Sequence, residues 1–348
     1  MQYTTLPTTD LNVSKACLGT MSFGAHVNEE ISRDVMDRAL ELGINFFDTA
    51  ELYAIPACEE TCGLTEEIIG RWMADRNNRD QIIIATKVVG LARNGLEYIR
   101  EGNTHFDEEN IREAIEGSLR RLQTDYVDLY QLHWPDRNVN KFGTRAYTHE
   151  ENDICTPLEE TLEVLQKLQQ EGKIKHVGLS NETPWGTMQF LQLAKDKNLP
   201  RMVSMQNNYS LLTRSYDIAM AEVTHREDIP LLAYSPLGYG VLGGRYLDGN
   251  YPEGGRFTKY PDFVPRYQSA HTENIIKKYK ALAESHGLTL PQMALAFVYS
   301  RSFVASNIIG PSNIEQLEDC VKALDIKLCP EILKAIDEIQ EEHPNPCP

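Results

Sequence analysis

Along this chain, short apolar or β-branched runs alternate with longer stretches of helical period, and the short runs number eight. They fall at residues 15–18, 45–48, 82–87, 126–133, 176–180, 202–206, 230–234 and 307–310. Between and after them, apolar residues recurring every three to four positions predict helices over 31–42, 65–74, 111–122, 158–170, 188–197, 215–224, 274–285, 291–299, 314–324 and 331–341. In the first, Ile31, Val35, Ala39 and Leu42 share one stripe; in the third, Ile111, Ile115 and Leu119 do so. Eight strands, each followed by a helix or a long loop, is the count of a closed (β/α)8 TIM barrel, whereas an open doubly wound sheet requires no fixed number. Residues 3–5 and 11–13 flank a proline-containing turn and are expected to form a β-hairpin across the barrel floor. No low-complexity tract or composition break marks a linker, so residues 1–348 are expected to form a single domain, with extra loops and helices at the C-terminal face of the barrel.

Charge narrows the partners. A net charge of −17 repels nucleic acid and acidic membranes, and an anionic cofactor would need local donors working against that field. No apolar run approaches the roughly 18 residues of a membrane span, and the first residues show no basic region followed by an apolar stretch; a cytoplasmic protein is expected. The seven cysteines are scattered. Cys58 and Cys62 are the only close pair and a weak zinc half-site, with no His or second Cys pair nearby, so free thiols and no metal are expected. No long coiled-coil repeat or obligate protein partner is evident.

The chemistry-bearing residues cluster at three consecutive strand ends, where β/α barrels place their reactive groups. The second predicted strand ends in Asp48, the third in Lys87 and the fourth in His133, while Tyr53 follows Asp48 by five residues, enough for a loop to return over the same rim. Taken singly, an Asp is a helix cap, a His a structural hydrogen-bonder and a Tyr loop packing. Strands about 4.8 Å apart bring all of them within side-chain reach. Together they have a task. A tyrosine with a pKa near 10 is a poor acid at neutral pH, and a neighbouring ammonium is expected to lower it. Lys87 would supply that charge, Asp48 would keep it charged and aimed, and His133 would orient a carbonyl oxygen that Tyr53 protonates as hydride arrives.

At these residues the chain resembles the aldo/keto reductase superfamily, whose tetrad is Asp, Tyr, Lys and His. The resemblance runs through Asn45-Phe46-Phe47-Asp48-Thr49-Ala50-Glu51-Leu52-Tyr53, Ala85-Thr86-Lys87 and Asp125-Tyr126-Val127-Asp128-Leu129-Tyr130-Gln131-Leu132-His133, and extends from Gly19-Thr20-Met21 to the helix after Ser312. It implies NADPH extended over the barrel mouth, with Gly19, Thr20, Met21 and Asp48 beside it. By the same resemblance, Ser180, Asn181 and Gln206 would bind the nicotinamide carboxamide and Tyr234 would stack on its ring. Ser235, Pro236, Leu237, Gly238, Gly240 and Leu242 would cover the pyrophosphate, with Arg245 and Arg256 supplying charge, and Gly310, Ser312, Gln316 and Asp319 would meet the adenosine.

Residues 238–243 also spell GxGxxG after a strand, but the fingerprint of an open dinucleotide-binding sheet needs a helix to open immediately and an acid about 20 residues on. Gly244, Gly249, Pro252, Gly254 and Gly255 follow instead, which predicts a helix-free flap. Ser312 with Glu315 also predicts a capping box, compatible with an anion site at the same helix start. Many family members carry Lys and Arg around the adenosine 2′-phosphate where this chain has Gly310 and Gln316, which leaves NADH possible. A related branch with the same Ser…Gln pattern, the potassium-channel β subunits, uses NADPH, and NADPH is taken as the cofactor.

The function expected is NADPH-dependent reduction of a small aldehyde or ketone. Loops 92–106 and 136–157 would shape the pocket with Tyr98, His105, Phe142, Tyr147, His149, Arg93, Arg100, Arg137 and Arg145, permitting polar, aromatic or anionic substrates alike. Two alternatives stand beside it: a slow-turnover NADPH-binding regulatory subunit, and a Schiff-base lyase acting through Lys87, which leaves Ser180, Asn181 and Gln206 unused.

Overall fold

A computed structural model describes residues 1–92, 95–144 and 146–347. The chain opens with β1 (Tyr3–Thr5) and β2 (Asn12–Ser14), an antiparallel hairpin. The remaining strands are β3 (Ala16–Gly19), β4 (Phe46–Asp48), β5 (Ile83–Val88), β6 (Val127–Leu132), β7 (Ile174–Ser180), β8 (Met202–Asn208), β9 (Leu231–Tyr234) and β10 (Val304–Ile309). All eight pair in parallel, and β10 closes the barrel against β3 and β9, as the count predicts.

Helices clad the outside: α1 (Glu29–Glu41), α2 (Leu64–Arg76), α3 (Glu108–Leu122), α4 (Leu158–Gln170), α5 (Pro184–Lys197), α6 (Ser215–Ile218), α7 (Met220–Glu227), α8 (Arg256–Lys259), α9 (Ala270–Ser285), α10 (Leu290–Tyr299), α11 (Ile314–Lys322) and α12 (Pro330–Glu342). Six of these helices start at a short polar side chain that caps them, satisfying N–H groups that lack helical partners. Asn28 accepts from Ile31 N, Asp107 from Asn110 N, and Thr183 from Gly186 N. Gly70 is required where α2 crosses the end of α3, since a Cβ there would collide with the Arg121 carbonyl.

Four expectations are corrected. The helix predicted over 215–224 is two helices, because Ala219 adopts φ −134° and ψ −46° and breaks the hydrogen-bond ladder. Ile31 is exposed; the buried face of α1 begins instead with Ser32, Val35 and Met36. The second hairpin strand starts at Asn12, freeing Leu11 to turn inward. The cap of α11 is Asn313, whose side chain accepts from Gln316 N, while Gln316 Oε1 accepts from Ser312 N and Oγ; Ser312 and Glu315 form no capping box.

The barrel interior is layered, and that layering positions the site. Leu6, Leu11 and Val13 from the hairpin region plug the floor against Cys17, Phe46, Ala85, Leu129 and Leu232. Two residues further along the strands, on the same inward face, stand Asp48 after Phe46, Lys87 after Ala85 and Gln131 after Leu129. An apolar floor thus carries a polar storey at the C-terminal end. Among the described residues no helix is long and apolar enough to cross a membrane, and Cys17, Cys58, Cys62, Cys155, Cys320 and Cys329 carry free thiols.

Candidate active site

The polar storey is a hydrogen-bonded network centred on Asp48. Its Oδ1 accepts from Lys87 Nζ at 2.6 Å, and both side chains are buried. Its Oδ2 accepts from Gln206 Nε2 at 2.7 Å and Gln131 Nε2 at 3.2 Å, and Gln206 Nε2 also reaches Gln131 Oε1 at 3.1 Å. Lys87 Nζ donates further to Thr49 O at 2.7 Å and to Tyr53 Oη at 3.3 Å. The ammonium therefore has an acceptor for each of its three protons.

Tyr53 reaches this point because the loop after β4 stays attached to β5. Thr49 N donates to Ala85 O and Glu51 N to Lys87 O, at 2.9 and 3.2 Å. The Glu51 carboxylate then accepts from Val89 N at 2.7 Å and from Arg100 Nη1 and Nη2 at 2.8 and 2.9 Å. His133, immediately after β6, sets its ring edge-on to that of Tyr53, 5.7 Å between centroids. Its Nδ1 is buried without a hydrogen-bond partner.

Burial decides the protonation states. It pushes the Tyr53 phenol well above its ordinary value, reinforced by the charge of Asp48. The expectation that Lys87 lowers this pKa is corrected for the resting site: the ammonium is neutralised by Asp48, so desolvation wins. Tyr53 is consequently a protonated donor at neutral pH. Burial also pulls the Lys87 ammonium below its ordinary value, opposed by Asp48. His133 lies well below 6.5, again through burial and then the positive charges of Lys87 and Lys141, and is a neutral imidazole.

Above the network opens a cavity of about 620 Å³, within the range of about 300–1,000 Å³ that ligand pockets occupy. Gly19, Thr20, Met21, Asp48, Tyr53 and His133 line it near the network, and Ser180, Asn181, Gln206 and Tyr234 line it beside them. Ser180 Oγ donates to Gln206 O at 2.8 Å, and Tyr234 Oη donates to Asn181 Oδ1 at 2.7 Å. Ser235, Pro236, Leu237, Gly240, Arg245 and Arg256 form another wall, and Gly310, Ser312, Gln316 and Asp319 line the end beyond. Gly238, Leu242 and Lys87 are not in the wall: Leu242 is fully buried in the core, and Lys87 lies behind Tyr53 and Asp48. The stretch 238–255 is not free of helix, since 3-10 turns occupy Gly238–Gly243 and Leu247–Gly249; positive φ at Gly238, Tyr239, Gly240 and Asp248 coils the chain tightly without opening a long helix.

The donors suit an anion. Among the described residues Arg245 and Arg256 form no ion pair, and with Lys259 they hold His26 below its ordinary value, after the effect of burial. Burial pulls Arg256 below its ordinary value too. Unpaired guanidinium groups at a cavity wall, in a chain of net charge −17, fit a phosphate-bearing ligand.

The loops expected to shape the pocket contribute less than predicted. Phe142 is in the wall, but Arg100 is held by Glu51 and Arg137 by Glu182 in buried pairs, and His105 is bonded to Asp136. Tyr147 and His149 are exposed and bonded to each other, Tyr98 packs beside Cys62, and Arg93 and Arg145 lie outside the described residues. Sequence reasoning missed Gln131, although its place two residues before His133 on the inward face marks it. It also missed Trp134, next to His133, and Tyr239, inside the glycine-rich stretch, as well as Arg266, Gln292 and Leu295, whose segments carry no signal of a site.

A closed eight-stranded parallel barrel with an Asp–Lys–Tyr network and a neighbouring His at its C-terminal rim is the architecture of the aldo/keto reductases, and the chain belongs to that family: the aldo/keto reductase model matches residues 15–341. The chain is 43% identical over 348 residues to the Tas protein of Escherichia coli (strain K12), covering 100% of both. It is 34% identical over 343 residues to the uncharacterized oxidoreductase YrpG of Bacillus subtilis (strain 168), with 97% of this chain and 96% of that protein covered. An aldo-keto reductase of Babesia bovis is 39% identical over 251 residues, 69% of this chain and 88% of its own. The chain is accordingly an oxidoreductase of a family whose general chemistry is NAD(P)H-dependent carbonyl reduction.

Proposed function

We propose that this protein reduces a small aldehyde or ketone to the alcohol with NADPH, Tyr53 acting as the general acid. The observation that carries this is the placing of Lys87 Nζ between Asp48, at 2.6 Å, and the Tyr53 phenol, at 3.3 Å. A bound reduced nicotinamide would supply the hydride. Ser180, Asn181 and Gln206 would orient its carboxamide, Tyr234 would stack on it, Arg245 and Arg256 would meet its phosphates, and Gly310, Ser312, Gln316 and Asp319 its adenosine end.

The protein's own groups do the rest. Neutral His133 directs a ring nitrogen at the carbonyl oxygen and fixes its orientation. As negative charge grows on that oxygen, the Tyr53 O–H bond breaks and the proton passes across; the phenolate left behind faces the Lys87 ammonium. Asp48 keeps that ammonium charged in a buried site. A Schiff base on Lys87 is disfavoured by its full burial and by the three acceptors that already hold its nitrogen.

Fluorescence titration with NADPH and NADH, followed by a 340 nm assay on a panel of aldehydes, tests this reading. Tight NADPH binding is expected, with turnover that falls at least about a hundredfold in Tyr53→Phe, the scale of a general acid's contribution. Turnover unchanged by the substitution removes Tyr53 from the role, and tight binding without turnover in the wild type favours the regulatory reading.

A further inference from the structure

The cavity wall carries a third guanidinium besides Arg245 and Arg256. Arg266 lies in a 3-10 turn (Pro265–Gln268), above the Tyr267 ring at 5.0 Å and near enough to Tyr234 to act on its phenol. Its Nη1 donates to Phe142 O at 3.1 Å, its Nε is buried without a hydrogen-bond partner, and among the described residues it forms no ion pair. Gly143 makes this approach possible: its φ is +97°, and a Cβ there would stand 3.2 Å from both Arg266 Cδ and Nη1.

From Arg266 an aromatic wall runs back to the proposed acid. The Phe142 ring meets Trp134 edge-on at 5.7 Å, Trp134 meets His133 at 4.8 Å, and His133 meets Tyr53 at 5.7 Å. One end of this wall offers a proton donor and a neutral imidazole. The other offers a cation with spare N–H donors, and the tilted rings between them offer aromatic edges and faces to an unsaturated body.

We propose that Arg266 and this wall select carbonyl substrates with an aromatic or conjugated body that ends in a carboxylate. The proposal rests on the reductase reading above. An anionic substrate must overcome the repulsion of a chain with net charge −17, and only a local cation achieves that. Arg245 and Arg256 act on His26, whereas Arg266 holds the backbone of the loop that carries Phe142, whose ring continues the wall to His133 and Tyr53. The carboxylate takes no part in bond-making: the carbonyl carbon receives the hydride, its π pair moves to oxygen, and oxygen takes the Tyr53 proton.

The test compares 4-formylbenzoate and 4-formylcinnamate with their methyl esters, reading the ratio of kcat/KM for acid over ester in the wild type and in Arg266→Gln. For the better of the two lengths a wild-type ratio above about 10, falling towards 1 in the variant, is expected from one charge-assisted contact. A wild-type ratio near 1, or one that survives the substitution, overturns the proposal. Calorimetry of the NADP-saturated protein with 4-(hydroxymethyl)benzoate and its methyl ester gives the same decision without turnover: preferential binding of the acid that is lost in Arg266→Gln supports it, and equal binding overturns it. A rise in the NADPH dissociation constant with the ratio preserved assigns Arg266 to the cofactor and also overturns it. Failure of the reductase reading is seen separately, as absent turnover of esters and acids alike.

Discussion

Replacing Lys87 by Met removes the cation beside the phenol while keeping most of the side chain's volume. The phenol oxygen lies 3.3 Å from Nζ. At that separation a unit charge pair in a medium of effective dielectric constant about 20 interacts by about 5 kcal/mol. Asp48, bonded on the other side of the ammonium, returns part of this, leaving about 2–3 kcal/mol for the developing phenolate, or roughly 30- to 150-fold in rate. The substitution has a second consequence. Asp48 Oδ1 loses its partner inside the barrel while Oδ2 keeps Gln131 and Gln206, and breaking a buried pair from one side costs about 3–5 kcal/mol of stability. The two effects separate experimentally. Single-turnover reduction at saturating cofactor and aldehyde reads the first, and urea unfolding reads the second; Lys87→Met/Asp48→Asn should recover much of the stability but not the rate. A single-turnover rate within threefold of wild type would refute the assignment of Lys87 to the phenolate.

Other expectations follow from the same geometry. His133 has a folded-state pKa well below the unfolded 6.5, so its neutral form contributes stability that is complete above about pH 6.5 and lost as pH falls through the folded value; between those two pH values the unfolded chain binds one more proton. His133→Gln should therefore flatten the stability-versus-pH slope just below about pH 6.5 by up to about 1.4 kcal/mol per pH unit, and an unchanged slope would contradict a buried neutral imidazole. Arg100→Ala strands the Glu51 carboxylate, whose pair is 6% exposed on each side, and should cost about 3–5 kcal/mol in chemical unfolding; a loss below 1 kcal/mol would mean that solvent reaches Glu51. Arg245→Ala should raise the NADPH dissociation constant about 5- to 10-fold, with a dependence on salt weaker than that of the wild type. An unmoved constant would place the cofactor phosphates elsewhere.

The barrel and the meeting of Asp48, Tyr53, Lys87 and His133 at its rim were legible in the sequence because both depend on short-range order. Strand period two fixes which face each residue takes, so Asp48 and Lys87 had to stand above Phe46 and Ala85 on the inner wall, and consecutive parallel strands had to bring their ends together. Eight apolar runs imposed closure. Tertiary structure alone decided how charge is spent. Arg100 and Arg137 lie in the predicted pocket loops, yet Glu51 and Glu182, 49 and 45 residues away in sequence, hold them in buried pairs, whereas Arg266, which carries no local signal, meets no carboxylate among the described residues. Depth decided protonation likewise: Tyr53 has the ammonium beside it that the spacing required, but burial and the Asp48 charge raise its pKa where proximity to Lys87 alone would lower it. Periodicity and spacing are properties of neighbours along the chain. Desolvation and ion pairing depend on distances between segments that only the closed barrel brings together.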